Sequence, residues 1–490
     1  MSASTLPAGP RGLPIVGTLF EMSKDPLGFF TALHQNYGEV AAVDMLGRHF
    51  FFFAHPRAVK NILIDNARNF TNREGNPELR ELIGDGLLSL DGAEHRRQRR
   101  IVQPAFNRTR IEAYADVMVA QTRRMLDLWS VGAELDISVE METLTMQIAG
   151  ATLFGADLGG ETASISRAFL DAAEFVREPI LSLSRLPINL PFTPYGKYKQ
   201  AKQHLDDVVG DLIERRRRSG TGGDDVLSML LAAHDEDGSM LDDRQIRDHV
   251  LTFLAAGHAT TANALSWTFY LLSENENARQ KVLNELAAVL DGRAPTVADL
   301  ARLPYLEMVV KESMRIYPPA WIQIRRAIAD YDLEGYHFPG GSFAAVSQWV
   351  THHRPDLWRD PEVFRPERFA PDSGEEPAPL AYFPFGGGPR TCIGMPFAML
   401  EARLVLATVL QRFTPTLVPG YPVVPRPLII LQPKNGIRML LEPAQRAMAA
   451  APPVFAAWHE IGADLPRRDR SAEYDRAVAG RRLGHRASDR

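Results

Sequence analysis

Residues 383–400 read FPFGGGPRTCIGMPFAML and contain Cys392, the only cysteine among the 490 residues of the chain. Three consecutive glycines, at 386–388, allow the backbone to turn tightly and to approach another group closely. Pro396 opens an apolar helical pattern, which places Cys392 near a helix N-terminus. There the helix dipole and nearby N–H groups favour a thiolate over a thiol. These local features leave three interpretations open: an unreactive buried cysteine, a metal ligand or a nucleophile.

The composition is that of an ordinary globular protein. Hydrophobic residues make up 45% and charged residues 23%, which excludes a disordered, collagenous or coiled-coil chain. The formal net charge of −5 gives no indication of a nucleic-acid partner. A single cysteine excludes an internal disulfide and any zinc or iron–sulfur site that needs several cysteines from this chain. It also suits a reducing compartment.

The N-terminal stretch MSASTLPAGPRGLPIVGTLF has no charged segment that leads into an apolar one, so we predict no secretory signal. No stretch of the chain reaches the roughly 18 uninterrupted apolar residues that are typical of a membrane span. The sequence therefore predicts a protein without a transmembrane segment, located in the cytoplasm.

Helical patterns dominate the chain after a short predicted β-hairpin at 39–45 and 48–54. One long helix is predicted over 108–129 and another over 243–273. The second is apolar on nearly all sides between 250 and 272, which predicts a buried helix. At about 1.5 Å per residue it would extend roughly 45 Å, enough to cross the molecule. The fold class is therefore predicted to be mainly α with a minor β region.

Five positions of the cysteine stretch reproduce the pattern Phe-x-x-Gly-x-Arg-x-Cys-x-Gly, which resembles the haem-binding signature of the cytochrome P450 family. They are Phe385, Gly388, Arg390, Cys392 and Gly394. The resemblance implies the cytochrome P450 fold, with haem b (iron protoporphyrin IX) between the long central helix and the helix after the cysteine. It implies that Cys392 is the axial thiolate ligand of the iron, where a thiolate favours O–O cleavage. Phe385 would pack near the sulfur, and Arg390 would pair with a haem propionate.

A second motif is Glu312-Ser-Met-Arg315, followed downstream by Pro366-Glu-Arg368-Phe. Residues at i and i+3 share one face of a helix, and an exposed ion pair is the ordinary explanation of such spacing. The resemblance implies instead that Glu312, Arg315 and Arg368 form a buried structural network behind the haem. Loss of one member would then leave a buried charge unpaired.

A third motif is His95-x-x-x-Arg99, a spacing that places two donors on one helix face. An exposed basic helix is the alternative interpretation, because arginines surround both positions. The resemblance implies that His95 and Arg99 bind haem propionates. It also aligns Arg325 with a further propionate contact, and Arg326 is the fallback.

The fourth motif, AGHATT at 256–261, lies halfway along the long predicted helix. Gly257 costs about 1 kcal/mol in a helix interior, which hints at close approach by another group. Thr260 can bond back to a carbonyl and open the helix locally. The motif resembles the oxygen-binding groove of the family, which implies that Thr260 steers protons to dioxygen.

Ala259 stands where the family usually has a carboxylate that relays protons. Three outcomes are open: water or substrate completes the relay, peroxide replaces dioxygen, or turnover is slow. Because Thr260 is present, we predict a working monooxygenase.

The family's cavity-lining segments map to mostly apolar positions, so we predict a lipophilic substrate such as a terpenoid, steroid or fatty acid. Each position is equally consistent with an ordinary core residue. The predicted pocket residues are Leu79, Leu82, Phe253, Ala256, Trp321, Ile322, Ile429 and Ile430.

The resemblance implies an enzyme that inserts one oxygen atom of O2 into its substrate. The chain is too short to include a fused reductase, so electrons are predicted to come from a ferredoxin or flavodoxin with a separate NAD(P)H reductase. The alternatives are a peroxide-driven enzyme and a haem-binding protein without turnover. We predict a monomer with one catalytic domain, 1–443, and a flexible C-terminal extension, 444–490.

Overall fold

The computed structural model describes residues 6–13, 16–73, 77–158, 160–177, 188–220, 223, 225–233 and 240–444. Contacts along the chain separate a first unit, 1–447, from a second unit, 448–490, and the fold below is that of the first unit. The predicted extension 444–490 lies outside the described residues apart from Ala444.

Helices form most of the described chain. They are α1 (Leu19–Lys24), α2 (Pro26–Tyr37), α3 (Pro56–Lys60), α4 (Pro77–Ile83), α5 (Gly92–Val102), α6 (Arg108–Ala113), α7 (Ala115–Leu126), α8 (Ile137–Leu153), α9 (Thr162–Arg177), α10 (Pro194–Ser219), α11 (Val226–Ala232), α12 (Asp243–Glu274), α13 (Glu276–Leu290), α14 (Pro304–Ile316), α15 (Gln348–His352) and α16 (Met395–Leu410). Short 3-10 turns at Val297–Arg302, Pro366–Phe369 and Gly388–Arg390 connect some of them.

Capping residues explain where the helices begin. The Asp25 carboxylate accepts the Gly28 N–H at 3.0 Å, and Pro26 occupies the first position of α2. At the start of α12, Asp242 and Gln245 form a reciprocal capping box. The Asp242 carboxylate accepts the Gln245 N–H at 2.8 Å, and the Gln245 side chain accepts the Asp242 N–H at 3.0 Å.

The β structure is small, and its strands are distributed along the chain between the helices. Its strands are β1 (Val40–Met45), β2 (Arg48–Phe53), β3 (Phe70–Thr71), β4 (Glu134–Asp136), β5 (Gln323–Ala327), β6 (Tyr331–Leu333), β7 (Tyr336–Phe338), β8 (Phe343–Val346), β9 (Phe413–Leu417), β10 (Pro425–Pro427), β11 (Leu431–Pro433) and β12 (Arg438–Pro443). The largest sheet has the order β1-β2-β8-β5-β3, and a second has the order β4-β12-β9. The predicted hairpin is confirmed as β1 and β2, which pair antiparallel.

The long helix α12 lies at the centre of the main hydrophobic core and packs against α8, α14 and α16. Trp267 on α12 is fully buried, and its ring stacks on Tyr317 with 4.0 Å between ring centroids. Its Nε1 donates to the Leu431 carbonyl at 3.2 Å. The prediction of one long buried helix is confirmed. The helix is buried because it is apolar on nearly all sides.

The helix predicted over 108–129 is instead two helices, α6 and α7, interrupted at Tyr114. The Tyr114 ring packs edge-on against Phe397 of α16, with 6.2 Å between centroids. This contact between distant segments accompanies the break and leaves no trace in the local pattern. Within the part of the chain that the structure describes, no helix combines the length and the apolar character that crossing a membrane requires.

Candidate functional site

The turn before α16 holds Cys392 in a tight, specific conformation. The Cys392 N–H donates to the Phe385 carbonyl at 3.0 Å, which closes the loop. Gly388 has a φ of +66°, and a Cβ at this position would lie 2.2 Å from the Leu63 carbonyl oxygen. Only glycine fits there, so the glycine run serves the turn itself.

The Cys392 sulfur accepts hydrogen bonds from the N–H groups of Gly394 and Met395. These bonds and the Arg99 charge lower the pKa of the thiol, but burial raises it more, and the pKa lies above its ordinary value. The N–H groups at this helix start do favour the thiolate, as the sequence indicated, but burial opposes them more strongly. A thiolate here requires an additional neighbouring cation, such as a bound metal ion.

Two positions are accessible, one in the middle of α12 and one in the turn before α16, and these two helices pack against each other. Ala256 is exposed although it lies in the middle of α12, and Cys392 is exposed although protein surrounds its sulfur. The Thr260 hydroxyl donates to the Ala256 carbonyl at 2.7 Å, as the motif predicts. Both positions are therefore accessible from outside the protein.

Gly257 and Ala259 flank this accessible part of α12. A Cβ on Gly257 would lie 3.3 Å from the Leu153 side chain of α8, so the close approach that this glycine indicated is helix packing. Ala259 is half-buried, and its carbonyl accepts a hydrogen bond from the Asn263 side chain at 2.7 Å. The neighbouring His258 is buried, with its Nδ1 2.5 Å from the Leu254 carbonyl.

Positive charge gathers close to the cysteine turn. Arg390 donates to the Asp91 carboxylate and to the Leu90 carbonyl. Burial, together with the charges of Arg390 and Arg99, lowers the pKa of His95 to about 4. Within the described residues Arg99 forms no ion pair, and His95 is neutral. Asp91 is therefore the carboxylate that opposes the positive charge of the arginines.

Arg325 joins this cluster, whereas Arg326 does not. The Arg325 guanidinium donates to Asn72 Oδ1 at 3.0 Å and to Gln323 Oε1 at 2.9 Å. Burial and the Arg390 charge lower its pKa to about 10. Arg326 points to the other face of β5, as strand alternation requires, and donates to the Gly341 carbonyl at 3.1 Å.

The structure brings the predicted second network together. Arg315 Nε lies 2.7 Å from Glu312 Oε2, and Arg368 Nε lies 2.9 Å from Glu312 Oε1. All three side chains are at most 2% exposed. Every ionic group therefore has a charged partner inside the protein.

Three residues of these two clusters were missed from the sequence. Asp91 lies four residues before His95, at a helical spacing that could have revealed it. Trp358 places its ring under both guanidiniums, 5.3 Å from Arg315 and 5.9 Å from Arg368. The His352 carbonyl accepts from Arg315 at 2.8 Å. Neither Trp358 nor His352 has a sequence signal, because both act across tertiary contacts.

A cavity of about 280 Å³ lies between α4, α8, α9, α12 and the β10–β11 hairpin. Leu82, Ile429 and Ile430, three of the predicted pocket residues, line it. Leu79 belongs to α4, and its side chain lies outside the described part of the chain. Ala256 is not part of this lining but belongs to the accessible stretch of α12.

Three other predicted pocket residues lie in hydrophobic cores and do not line this cavity. Phe253 packs against Phe106, with 5.4 Å between ring centroids. Trp321 packs against Phe30 and donates to the Leu428 carbonyl at 3.0 Å. Ile322 contacts the same core as Trp321. Apolar character in these segments reports burial, which core and pocket residues share.

Comparison with known proteins decides the family. The family model described as Cytochrome P450 matches residues 7–441. The chain belongs to the cytochrome P450 family. It is therefore a P450 monooxygenase, and haem b is its cofactor.

Several curated bacterial P450 enzymes are similar over most of their length. Cyclooctatin synthase of Streptomyces melanosporofaciens is 35% identical over 438 residues, which cover 89% of this chain and 95% of that enzyme. Cyclooctat-9-en-7-ol 5-monooxygenase of the same organism is 35% identical, with 85% and 91% covered. Pentalenene oxygenase of Streptomyces avermitilis is 34% identical, with 90% and 98% covered. Among solved structures, retinoic acid bound cyanobacterial CYP120A1 has a TM-score of 0.82 and 30% identity, with 90% and 100% covered.

The residues of this P450 fit haem b. A buried sulfur that accepts two N–H bonds suits an iron ligand, because the iron supplies the cation that the thiolate needs. The surplus of positive charge beside it suits two propionate groups. Ala256 on α12 and Cys392 before α16 are both exposed, which leaves the sulfur and this part of α12 accessible to a bound group.

Proposed function

We propose that this P450 inserts one oxygen atom from O2 into a terpenoid, with Cys392 as the thiolate ligand of the haem iron. The observation that carries the proposal is the Cys392 sulfur at the start of α16, held by the N–H groups of Gly394 and Met395. Haem bound through a thiolate supplies the activation of oxygen. Phe385 and Gly394 shape the turn around the sulfur.

The remaining residues of the site take supporting roles in this proposal. Arg99, Arg325 and Arg390 hold the haem propionates, since three guanidinium charges exceed what Asp91 opposes, and the neutral His95 ring contributes an N–H donor. The Thr260 hydroxyl, which donates to the Ala256 carbonyl, holds and passes a proton next to the substrate. Glu312, Arg315 and Arg368 keep the fold beneath the site rigid.

The substrate class follows from the relatives and the cavity. Two of the similar enzymes are named for cyclooctatin-type compounds and one for pentalenene, which are terpenoids. Leu82, Phe169 and Ile429 give the cavity a largely apolar lining that suits such a molecule. We therefore favour a terpenoid over a steroid or a fatty acid.

The electron donors in this proposal are a ferredoxin or flavodoxin and a separate NAD(P)H reductase. The enzyme acts as a monomer, and its cytoplasmic location stays a prediction. Reconstitution with several such donor pairs, followed by NAD(P)H consumption in the presence of a terpenoid, identifies the class of donor.

The test of the thiolate is spectroscopic. The reduced carbon monoxide complex of the purified enzyme is expected to show the red-shifted Soret band of thiolate-ligated haem, and Cys392→Ser is expected to lose it. Glu214→Gln, an exposed change on α10, is the control for expression and folding. An unchanged spectrum in Cys392→Ser would refute the assignment.

Ala259 favours one second candidate, a peroxide-driven enzyme, because no acid stands at this position of α12. Hydrogen peroxide supplied without redox partners would then support turnover at the same rate as O2 supplied with NAD(P)H and the donors. We expect the O2-dependent reaction to be faster, since Thr260 retains its hydroxyl at the accessible face of α12.

A further inference from the structure

The cavity lining is largely apolar, but it includes a group of polar residues on its helical side, apart from Arg426, Gln432 and Lys434 at the β10–β11 hairpin. We call this group the polar wall and define it as Ser138, Glu142, Ser166, His258 and Asn263. These residues come from α8, α9 and α12, so three helices bring them together. Buried polar groups without partners cost free energy, which makes the hydrogen bonding of this wall informative.

The two serines of the polar wall are unsatisfied. The hydroxyl oxygens of Ser138 and Ser166 are buried and have no hydrogen-bond partner among the described residues. Each such hydroxyl costs about 1–3 kcal/mol if it stays unpaired. A ligand or ordered water in the cavity would satisfy both of them.

Glu142 is a carboxylate without a protein partner. Its side chain forms no hydrogen bond or ion pair within the described residues, and burial together with the Asp136 charge raises its pKa to about 6. Asp136, in contrast, accepts the N–H groups of Ser138 and Ile437, each at 3.0 Å. Glu142 is therefore the acceptor that remains available to a bound molecule.

The α12 side of the polar wall also presents acceptors. The 2.5 Å contact between His258 Nδ1 and the Leu254 carbonyl places the ring proton on Nδ1 and leaves Nε2 as an acceptor. Burial lowers the pKa of His258 to about 4, so the ring is neutral. The Asn263 side chain donates through its nitrogen to the Ala259 carbonyl, which leaves its oxygen as an acceptor.

We propose that the polar wall binds a hydroxyl group of the substrate, so that this P450 oxidises a terpenoid that is already an alcohol. The inference rests on the proposed terpenoid function and deepens it. A hydroxyl donates to Glu142 or His258 and accepts from Ser138 or Ser166, which matches a wall of acceptors and hydroxyls. At the polar wall a carboxylate ligand would face the Glu142 carboxylate, whereas the cations of the lining, Arg426 and Lys434, lie at the β10–β11 hairpin, where Arg426 pairs with Glu174 at 2.8 Å. An apolar ligand would leave the two serine hydroxyls and the Glu142 carboxylate without a partner.

The polar wall is placed to orient the substrate toward the reacting face of α12. Ala255 and Ala259 line the cavity. Ala256 comes directly after Ala255, and Thr260 comes directly after Ala259. One residue corresponds to about 100° of rotation around a helix. The cavity and the accessible face are therefore neighbouring sides of α12, and the proposal requires the apolar body of the substrate to reach from the first to the second.

The proposal also places the enzyme in a reaction sequence. The hydroxyl must come from an earlier step, either a cyclisation in which water captures the last carbocation and loses a proton, or a previous monooxygenation. This P450 would then add a second oxygen function to the same skeleton.

The test measures binding to the haem-loaded enzyme through the haem spectral shift. The probes are two alcohols and their parent hydrocarbons, cedrol with cedrane and sclareol with labdane. We expect at least one alcohol to bind about tenfold more tightly than its hydrocarbon, which corresponds to about 1.4 kcal/mol. Equal affinity within both pairs, as if water alone occupied the polar wall, overturns the proposal.

Variants of the polar wall show which side chains distinguish an alcohol from its parent hydrocarbon. Glu142→Leu is expected to reduce the ratio of alcohol to hydrocarbon affinity at least fivefold without weakening hydrocarbon binding, and Glu142→Gln is expected to retain most of it. Ser166→Ala, a smaller change, should lower the ratio about threefold. The exposed Glu214→Gln should match the parent. An unchanged ratio in both Glu142→Leu and Ser166→Ala overturns the proposal.

The outcomes also separate this inference from the proposed function. Tight binding of hydrocarbons and alcohols with a ratio near one overturns the role of the polar wall and leaves the terpenoid function in place. Absence of any spectral shift with all four probes overturns the terpenoid function, and the inference falls with it.

Discussion

Two arginine-rich clusters lie inside this P450, one fully buried and one half-buried at Arg99 and Arg390, and they differ in how their charge is balanced. Around Glu312, each guanidinium has a carboxylate oxygen within 2.9 Å. Around the cysteine turn, Arg99 has no ion pair in the described residues and Asp91 is shared. The first cluster is complete without a ligand, whereas the second is complete only when an anion binds. Charge balance, more than arginine content, therefore distinguishes a structural network from a binding site.

The strongest way to break this comparison is to unbalance the complete network. Glu312→Ala leaves Arg315 buried without a carboxylate and Arg368 with only the partly exposed Glu375 at 3.5 Å, so we expect a loss of about 3–5 kcal/mol in the free energy of unfolding. Urea unfolding of the haem-loaded protein measures it. Glu214→Ala, exposed on α10, should unfold as the parent does. A loss below about 1 kcal/mol would mean that water or rearrangement replaces Glu312.

His249 shows what burial does when no charge is involved. Both ring nitrogens are buried without a partner in the described chain, and burial lowers the pKa of this side chain from 6.5 to about 4. The unfolded chain therefore binds the proton more readily, and the stability is complete above pH 6.5. As the pH falls from 6.5 to 4, up to about 3 kcal/mol is lost.

The measurement is the difference between the parent and His249→Leu in unfolding free energy across this pH range. Other buried histidines titrate in both proteins and cancel in the difference. We expect the variant to lose less stability than the parent between pH 6.5 and 4, with equal slopes above pH 7. Parallel curves at every pH would show that folding does not change the pKa of His249.

The incomplete cluster should respond in ligand affinity instead of fold stability. Arg99→Gln removes a charge that has no ion pair among the described residues, so we expect haem to dissociate about tenfold more readily, which corresponds to about 1.4 kcal/mol. Transfer of haem to an excess of a haem-free acceptor protein measures the rate. Arg108→Gln, on the exposed surface of α6, is the matched control. An unaltered rate would remove Arg99 from the set of haem contacts.

The sequence predicted those features that a short spacing or a continuous pattern encodes. The buried helix α12, the β1–β2 hairpin and the cysteine turn all belong to this class. The spacing of Glu312 and Arg315 is local too, but the resemblance supplied their partner Arg368. Segments that touch only after folding left no such trace.

The remainder depends on tertiary packing. The break at Tyr114 accompanies a ring contact with α16, and Trp358 stacks on guanidiniums from other segments. Glu142 lies in an ordinary helical pattern, and only the approach of α9 and α12 makes it a cavity residue. Trp321 is the opposite case, because its place in a cavity-lining segment predicted a pocket residue and it packs in a hydrophobic core.

The rim of the complete network gives the finest test, with the smallest expected effect. Glu375 lies 2.5 Å from Arg365 and 3.5 Å from Arg368, but it is partly exposed to water. Because water can solvate the charges that remain, Glu375→Gln should cost less than about 1 kcal/mol, although it touches the same arginine as Glu312. Urea unfolding beside Glu312→Ala measures both on one scale. If the two substitutions cost the same, burial is not what makes the network strong, and the contrast with the cysteine-turn cluster must rest on something other than charge balance.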